Sequence, residues 1–331
     1  MLPFSLRKLW AMAPAAYCMY RTAAMGKVEL AEGKIVLRSN SSVMNPQFLL
    51  DLPPQTIVQS YNMRDTMLYA LGVGAGQKFD DEAEERFTFE NDLVALPTMA
   101  VVLAYPGFWQ MEPRYGIDWR RVLHAEQSCE FHSALPVEGT VRGEFMIDAI
   151  VDKGASKGAL LRARRLIYND ADGTLLATVR QLSFLRGDGG RGGGGDAIEL
   201  LATVPDREPD QIVQLATRQE QALLYRLSGD YNPLHVSRSV ARAAGFEKPI
   251  LHGLCTYGFI GRALLSAACG NDRTTLKSLD CRFTAPVHPG ERIEVRIWQE
   301  LEGAVAFQAL VPERGQVVID QGRALTKVDE T

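Results

Sequence analysis

The densest chemical signal in this 331-residue chain is Ser228-Gly229-Asp230-Tyr231-Asn232-Pro233-Leu234-His235. Gly229 and the Asn232-Pro233 pair break the helix that the preceding Leu224-Tyr225-Arg226-Leu227 predicts. Asp230 therefore falls in a turn, and His235 opens the next ordered segment. An acid and an imidazole separated by a proline-fixed turn can face one small volume. With unperturbed pKa values of about 3.9 and 6.5, the two could hold a water, take a proton from it and deliver a proton elsewhere. Asn232 can anchor the turn or a substrate amide. The plainer alternative is that Asp230 caps the next helix and His235 is an ordinary, partly buried side chain. His252 reads as a packing residue, and His124, His132 and His288 sit in no comparable cluster.

The elements that must position this motif occur twice. Leu68-Tyr69-Ala70-Leu71-Gly72 resembles Leu224-Tyr225-Arg226-Leu227-Ser228-Gly229, and Leu96-Pro97-Thr98-Met99 resembles Leu251-His252-Gly253-Leu254. Pro136-Val137-Glu138-Gly139 likewise matches Pro286-Val287-His288-Pro289-Gly290, and the three offsets are nearly constant. Each copy predicts an amphipathic helix (62–71; 218–227), then an apolar helix (98–105; 254–269), then about four strands. Those strands are expected at 141–151, 159–168 and 175–185 in the first copy, and at 278–283, 292–301, 304–311 and 317–328 in the second, with Gly-containing turns between them. The segment 258–269 carries small and apolar residues on nearly every face, as a buried helix does. A buried helix wrapped by a mostly antiparallel sheet is the hotdog arrangement, so the fold class is α+β, a double hotdog. Only the second copy holds the Asp-Tyr-Asn-Pro-Leu-His run; the first continues Val73-Gly74-Ala75-Gly76. That asymmetry favours chemistry over capping.

Composition bounds the rest. Hydrophobic residues make up 46% and charged residues 23%, with a net charge of −4, so neither a disordered chain nor a general nucleic-acid binder is expected. Five scattered cysteines (18, 129, 255, 269 and 281) read as reduced thiols, without zinc-ligand spacing. No apolar run is long enough to span a bilayer. Residues 1–28 are basic and free of acids, as in a mitochondrial leader, and the final Val328-Asp329-Glu330-Thr331 is no peroxisomal address. Seven glycines within 187–195 predict a flexible linker. The expected organisation is thus a leader (1–28), a first repeat without the motif (29–186), a linker (187–205) and a second repeat that carries it (206–331).

Taken with Ala244-Gly245-Phe246 and Pro249-Ile250-Leu251-His252-Gly253-Leu254, the motif resembles that of the MaoC-like (R)-specific enoyl-CoA hydratases, or hydratase 2. From about residue 50 onward the chain is similar to the hydratase 2 unit of peroxisomal multifunctional enzymes of type 2. Supporting segments are Arg64 through Gly74 and Leu123-His124-Ala125-Glu126-Gln127, where the family usually has Gly in place of Ala125. The resemblance implies reversible hydration of a trans-2-enoyl-CoA to a (3R)-3-hydroxyacyl-CoA, with no metal or redox cofactor. It makes Asp230 and His235 the residues that activate water and return a proton to C2. It assigns Asn232 to orienting the acyl-CoA or the loop, and the Gly253 N–H to the thioester oxygen. Glu126 and Ser228 join the expected substrate-binding set, and Arg238, Arg242 and Lys248 are the candidates for the CoA phosphates.

The first repeat would complete a pseudo-dimer. Its helix, cut short before Tyr105-Pro106-Gly107, would leave room for an acyl tail. Two other readings stand beside this one. One is a 3-hydroxyacyl-thioester dehydratase of fatty acid synthesis, and the other a non-catalytic acyl-CoA-binding hotdog protein. A thioesterase would want an acid on the central helix, and 258–269 has none. The expected partner is acyl-CoA, with no nucleic acid and no membrane span. A homodimer is expected in an intracellular compartment, peroxisomal or mitochondrial.

Overall fold

The computed structural model describes residues 28–31, 34–37, 43–77, 82–270 and 272–327. The chain divides into two compact units, 1–43 and 44–331. In the first unit, strands β1 (Val28–Ala31) and β2 (Lys34–Leu37) pair antiparallel. The basic leader up to residue 27 and the last four residues lie outside the described residues, and so does Cys18.

The second unit is built on one antiparallel sheet. Its first repeat supplies β3 (Gln55–Tyr61), β4 (Val122–Phe131), β5 (Gly139–Asp152), β6 (Ala159–Asn169) and β7 (Leu175–Leu185). The two-residue β8 (Gly194–Gly195) joins β5, and the second repeat supplies β9 (Gln211–Ala216), β10 (Leu276–Phe283), β11 (Arg292–Gln299), β12 (Ala304–Val311) and β13 (Gln316–Thr326). The strand order is β3-β5-β6-β7-β4-β10-β13-β12-β11-β9. Read from either edge, the same sequence of strand types meets at the centre, where β4 pairs β10 from Glu130 opposite Ser278 to Glu126 opposite Arg282. Each strand of one repeat thus has its counterpart in the other, and the duplication expected from three short matches is a symmetry of the sheet.

Short helices α1 (Pro46–Leu50), α2 (Met63–Gly72) and α3 (Glu82–Glu85) belong to the first repeat, and α4 (Gln221–Tyr225), α5 (Arg238–Ala243) and α6 (Gly253–Ala268) to the second. The long helix α6 is the central element, and Tyr257, Phe259, Ile260 and Leu264 on it are fully buried. One apolar core joins them to Tyr69, Val73 and Met99 of the first repeat and to Leu279, Phe307 and Ile319 of the second. The fold is the expected double hotdog.

Three features differ from the expectation. The apolar segment 98–105 does not form an α-helix: a 3-10 turn over Pro97–Val101 ends there, and Ala104 takes a left-handed φ of 47°. Second, α6 is not apolar throughout. Arg262 is buried in it, donating to the Val73 carbonyl at 3.0 Å and pairing with Glu84. Third, the Gly-rich segment is no free tether. Gly194 and Gly195 pair with Ile150 and Ala149, and the Asp152 carboxylate accepts the N–H groups of Gly190 and Gly192, both at 2.8 Å. A Cβ on Gly193 or Gly195 would stand 2.3 Å from a carbonyl oxygen of β5. Glycine is required there because backbone lies on backbone, a use of glycine that composition alone cannot tell from flexibility.

Candidate active site

The chemistry-bearing loop is fixed by its own backbone. The turn closes at Gly229, with φ 123°, a conformation that side chains resist. Asp230 Oδ1 then accepts the Asn232 N–H at 3.1 Å, and Asn232 Oδ1 accepts the Leu234 N–H at 3.0 Å. Two successive side-chain turns lead into a 3-10 turn, Pro233–His235, which delivers His235 into the protein. Asn232 therefore spends its amide oxygen on the loop and keeps its NH2 group for a ligand.

His235 Nδ1 lies 2.9 Å from the Ile250 carbonyl. A carbonyl only accepts, so Nδ1 carries the hydrogen and Nε2 is left as an acceptor. His252, directly before α6, lies with Nε2 3.2 Å from the Asp230 carbonyl, which fixes its tautomer in the same way. Its ring stacks on His235 at 3.7 Å between centroids, tilted by 28°. The ligand atoms of Asp230, His235 and His252 lie within 4.8 Å of one another. That spacing places one carboxylate and two imidazoles around a single small volume.

Burial pushes the pKa of His235 below its ordinary value, against the pull of Asp230. His252 is pushed down to about 3, by burial first and then by His235. Both rings are neutral at physiological pH, so His235 is ready to accept a proton.

Gly253 is the first residue of α6, and among the described hydrogen bonds no backbone carbonyl accepts its N–H. His252 provides no side-chain cap, so the first turn of the helix keeps open donors and the positive end of its dipole. A Cβ on Gly253 would meet the Phe283 ring at 3.3 Å, so a side chain here would press on that ring.

The first repeat reaches the same volume. A β-bulge in β4 between His124 and Glu126 turns the His124 side chain to the helix side of the sheet. There its ring meets Phe283 at 4.8 Å. Packing pushes its pKa down to about 4, and Asp230 pulls the other way. Tyr105, beyond the short 3-10 turn, is also close enough for Asp230 to raise the pKa of its hydroxyl further after burial. Next to it is a narrow pocket lined by Val101, Tyr105, Trp109, Phe145, Ala163 and Leu254, with room for about one water. Leu254, the residue after Gly253, forms part of its wall. His124 and His252 were the residues missed in the sequence. The adjacency of His252 to Gly253 was a usable signal, while nothing local predicted the bulge that turns His124.

Of the expected binding residues, Ser228 sits beside the loop with its hydroxyl buried and without a partner. Arg238, Arg242 and Lys248 are exposed between His235 and His252. Glu126 does not reach this volume: it lies on the opposite face of the sheet, where it accepts from Arg282 Nε at 2.9 Å in a polar groove with Ser128, Arg180 and Asp280. Sheet alternation explains this, because Gln127 takes the helix-facing position.

Residues 59–187 match the MFE-2 hydratase 2 N-terminal domain family and residues 201–320 the MaoC-like domain family. The chain is 39% identical over 268 residues to 3-hydroxyacyl-thioester dehydratase Y of Mycobacterium tuberculosis, covering 78% of this chain and 90% of that one. It is 35% identical over 300 residues to the peroxisomal enoyl-CoA hydratase 2 of Arabidopsis thaliana, covering 86% and 96%. Against the peroxisomal multifunctional enzyme type 2 of Mus musculus it is 38% identical over 268 residues, 78% of this chain but only 36% of that enzyme's length. A MaoC-like dehydratase from Phytophthora capsici superposes with a TM-score of 0.78 at 36% identity, covering 86% of this chain and all 100% of that one.

Proposed function

We propose, from the premise that this chain belongs to the MaoC-like hydratase 2 family, that it adds water across the double bond of a trans-2-enoyl-CoA to give the (3R)-3-hydroxyacyl-CoA, reversibly. It is a hydro-lyase. The observation that carries the reading is the pairing of a free His235 Nε2 with the Asp230 carboxylate beside an uncapped helix start at Gly253.

In this mechanism water sits between His235 Nε2 and the Asp230 carboxylate. Its oxygen bonds to C3 of the enoyl group while one of its protons passes to the pair. The electron pair of the double bond moves through C2 toward the thioester oxygen, whose growing negative charge meets the Gly253 N–H and the helix end. A proton from the pair then forms the C2–H bond and returns the site to its starting state. Both additions take place on the face that carries the pair, which fixes the R alcohol. The Asn232 NH2 group orients the thioester or the water, and Arg238, Arg242 and Lys248 meet the CoA phosphates. The chain needs no metal or redox cofactor for these steps. The acyl tail is directed toward the narrow pocket of the first repeat. Two of its relatives are named as peroxisomal, and acyl-CoA turnover there or in mitochondria is the setting this reading implies. A second copy would pair along the open edge strands β3 and β9, and sedimentation would report that homodimer.

The test is loss of enoyl-thioester absorbance with crotonyl-CoA and trans-2-decenoyl-CoA, wild type beside Asp230→Asn, with chiral analysis of the product. Fast loss giving the 3R alcohol and abolished by the substitution is expected. Turnover confined to carrier-protein thioesters would instead favour the dehydratase reading, which the similarity to dehydratase Y keeps in view.

A further inference from the structure

Arg165, on β6, is only 5% exposed and lines the pocket beyond the short helix of the first repeat. Its Nη2 donates to the carbonyls of Ala100 at 3.3 Å and Val101 at 2.8 Å, and its guanidinium lies 5.5 Å from the Tyr105 ring centroid. Its Nε is buried with no partner. Among the described residues, no carboxylate forms an ion pair with it. The neighbouring arginines differ: Arg162 holds Asp148 at 2.9 Å, and Arg180 holds Glu130. Burial lowers the pKa of Arg165 to about 10, so it remains a cation at neutral pH. A buried, unpaired charge is among the most destabilising features a core can carry, and a pocket made only for a hydrocarbon tail has no use for one.

We propose that this pocket reads a carboxylate on the acyl chain, with Arg165 as its recognition residue, so that the preferred substrates are enoyl-CoAs whose far end carries a carboxylate. A guanidinium attracts a carboxylate by charge, and two of its nitrogens, Nε and Nη1, carry no hydrogen bond to the protein, so either can give a single charge-assisted bond to a carboxylate oxygen. Tyr105, Val101, Phe145 and Val179 form the apolar walls of the pocket and Gln127, Arg164 and Gln181 its polar ones, and the narrowness of the space would limit water around the pair and strengthen it. The inference rests on the hydratase reading and adds the substrate class to it.

The experiment compares kcat/KM for matched trans-2-enoyl-CoAs over a ladder of chain lengths, each as the methyl-ended and the ω-carboxy form. The wild type is expected to favour the ω-carboxy form by about tenfold or more at one chain length, where the carboxylate reaches Arg165. Arg165→Met should bring that ratio below one, and Arg165→Lys should keep part of it. Equal rates for both forms at every length in the wild type would overturn the proposal without need of any variant. An equal loss for both forms in Arg165→Met would do so too, leaving Arg165 only the strut for the 100–101 carbonyls. Crotonyl-CoA, too short to reach the pocket, keeps the readings apart: if it is not hydrated, the hydratase reading has failed, not this one alone.

Discussion

The two repeats share a strand order and differ in what fills the sheet. In the second, a 16-residue helix packs in the core, and no backbone carbonyl among the described hydrogen bonds accepts the N–H of its first residue. In the first, five residues of 3-10 turn stand at the matching place, and the space beyond them is a pocket ending on Arg165. A symmetric pair would carry two half-filled sites. Here one repeat keeps the Asp230–His235 loop and the other gives up helix turns, which on the proposed function gives a single site a catalytic end and a binding end. The first repeat also brings His124 and Tyr105 within electrostatic reach of Asp230, so both repeats build its surroundings.

The comparison breaks most directly at the catalytic end. Asp230→Asn, or His235→Gln, should lower kcat on crotonyl-CoA by about a thousandfold, in the range of a lost general acid–base, with the melting temperature little changed. An activity within tenfold of wild type would return both residues to loop architecture. At the binding end, Ala163→Phe should fill the pocket and cut the ratio of decenoyl-CoA to crotonyl-CoA turnover about tenfold. An unchanged ratio, or a wild type that fails beyond four carbons, would show that the acyl tail goes elsewhere.

The joint between repeats gives the third test. Glu84→Ala removes the ion-pair partner of Arg262 Nη2, and about 3 kcal/mol of stability should be lost in denaturant melts. Next in size is the glycine strap. Gly193→Ala sets a Cβ against the Ile150 carbonyl and should cost about 2 kcal/mol, whereas a free tether would tolerate it.

The smallest effect concerns pH. His124, His235 and His252 have pKa values held below those of the unfolded chain, so the unfolded state takes up protons first as pH falls. Their contribution to stability is whole above about pH 6.5 and is lost progressively toward about 4 and 3. Activity should likewise hold below pH 6.5 and decline only as His235 is protonated. His252→Gln should soften the acid-side loss of stability; a steeper loss would contradict the neutral stack.

Much of this was legible locally. The alternation along 159–169 and 304–311 and the all-round burial of 258–269 are periodic signals, and the structure has strands and a helix there. The Gly229 and Pro233 breaks put Asp230 and His235 together because a turn needs only a few neighbouring residues to form. Chain segments far apart in sequence decided the rest. The ion pair of Arg262 on the central helix with Glu84 joins residues far apart in the sequence. Segment 187–195 read as flexible because close backbone packing leaves no side-chain signature. Glu126 looked like a site residue, yet β-strand parity gave its neighbour Gln127 the inner face and sent Glu126 to the outer one.

The sequence by itself determined that this chain is a doubled hotdog with one Asp-Tyr-Asn-Pro-Leu-His loop, because repeats, periodicities and turn residues are properties of short stretches. Only the tertiary structure decided which atoms that loop leaves free and what surrounds it. The hydrogen of His235 is assigned by a carbonyl at Ile250, His124 is turned inward by a bulge, and Arg165 is left unpaired by a helix that stops early. Each of these depends on distances between residues that no local pattern encodes.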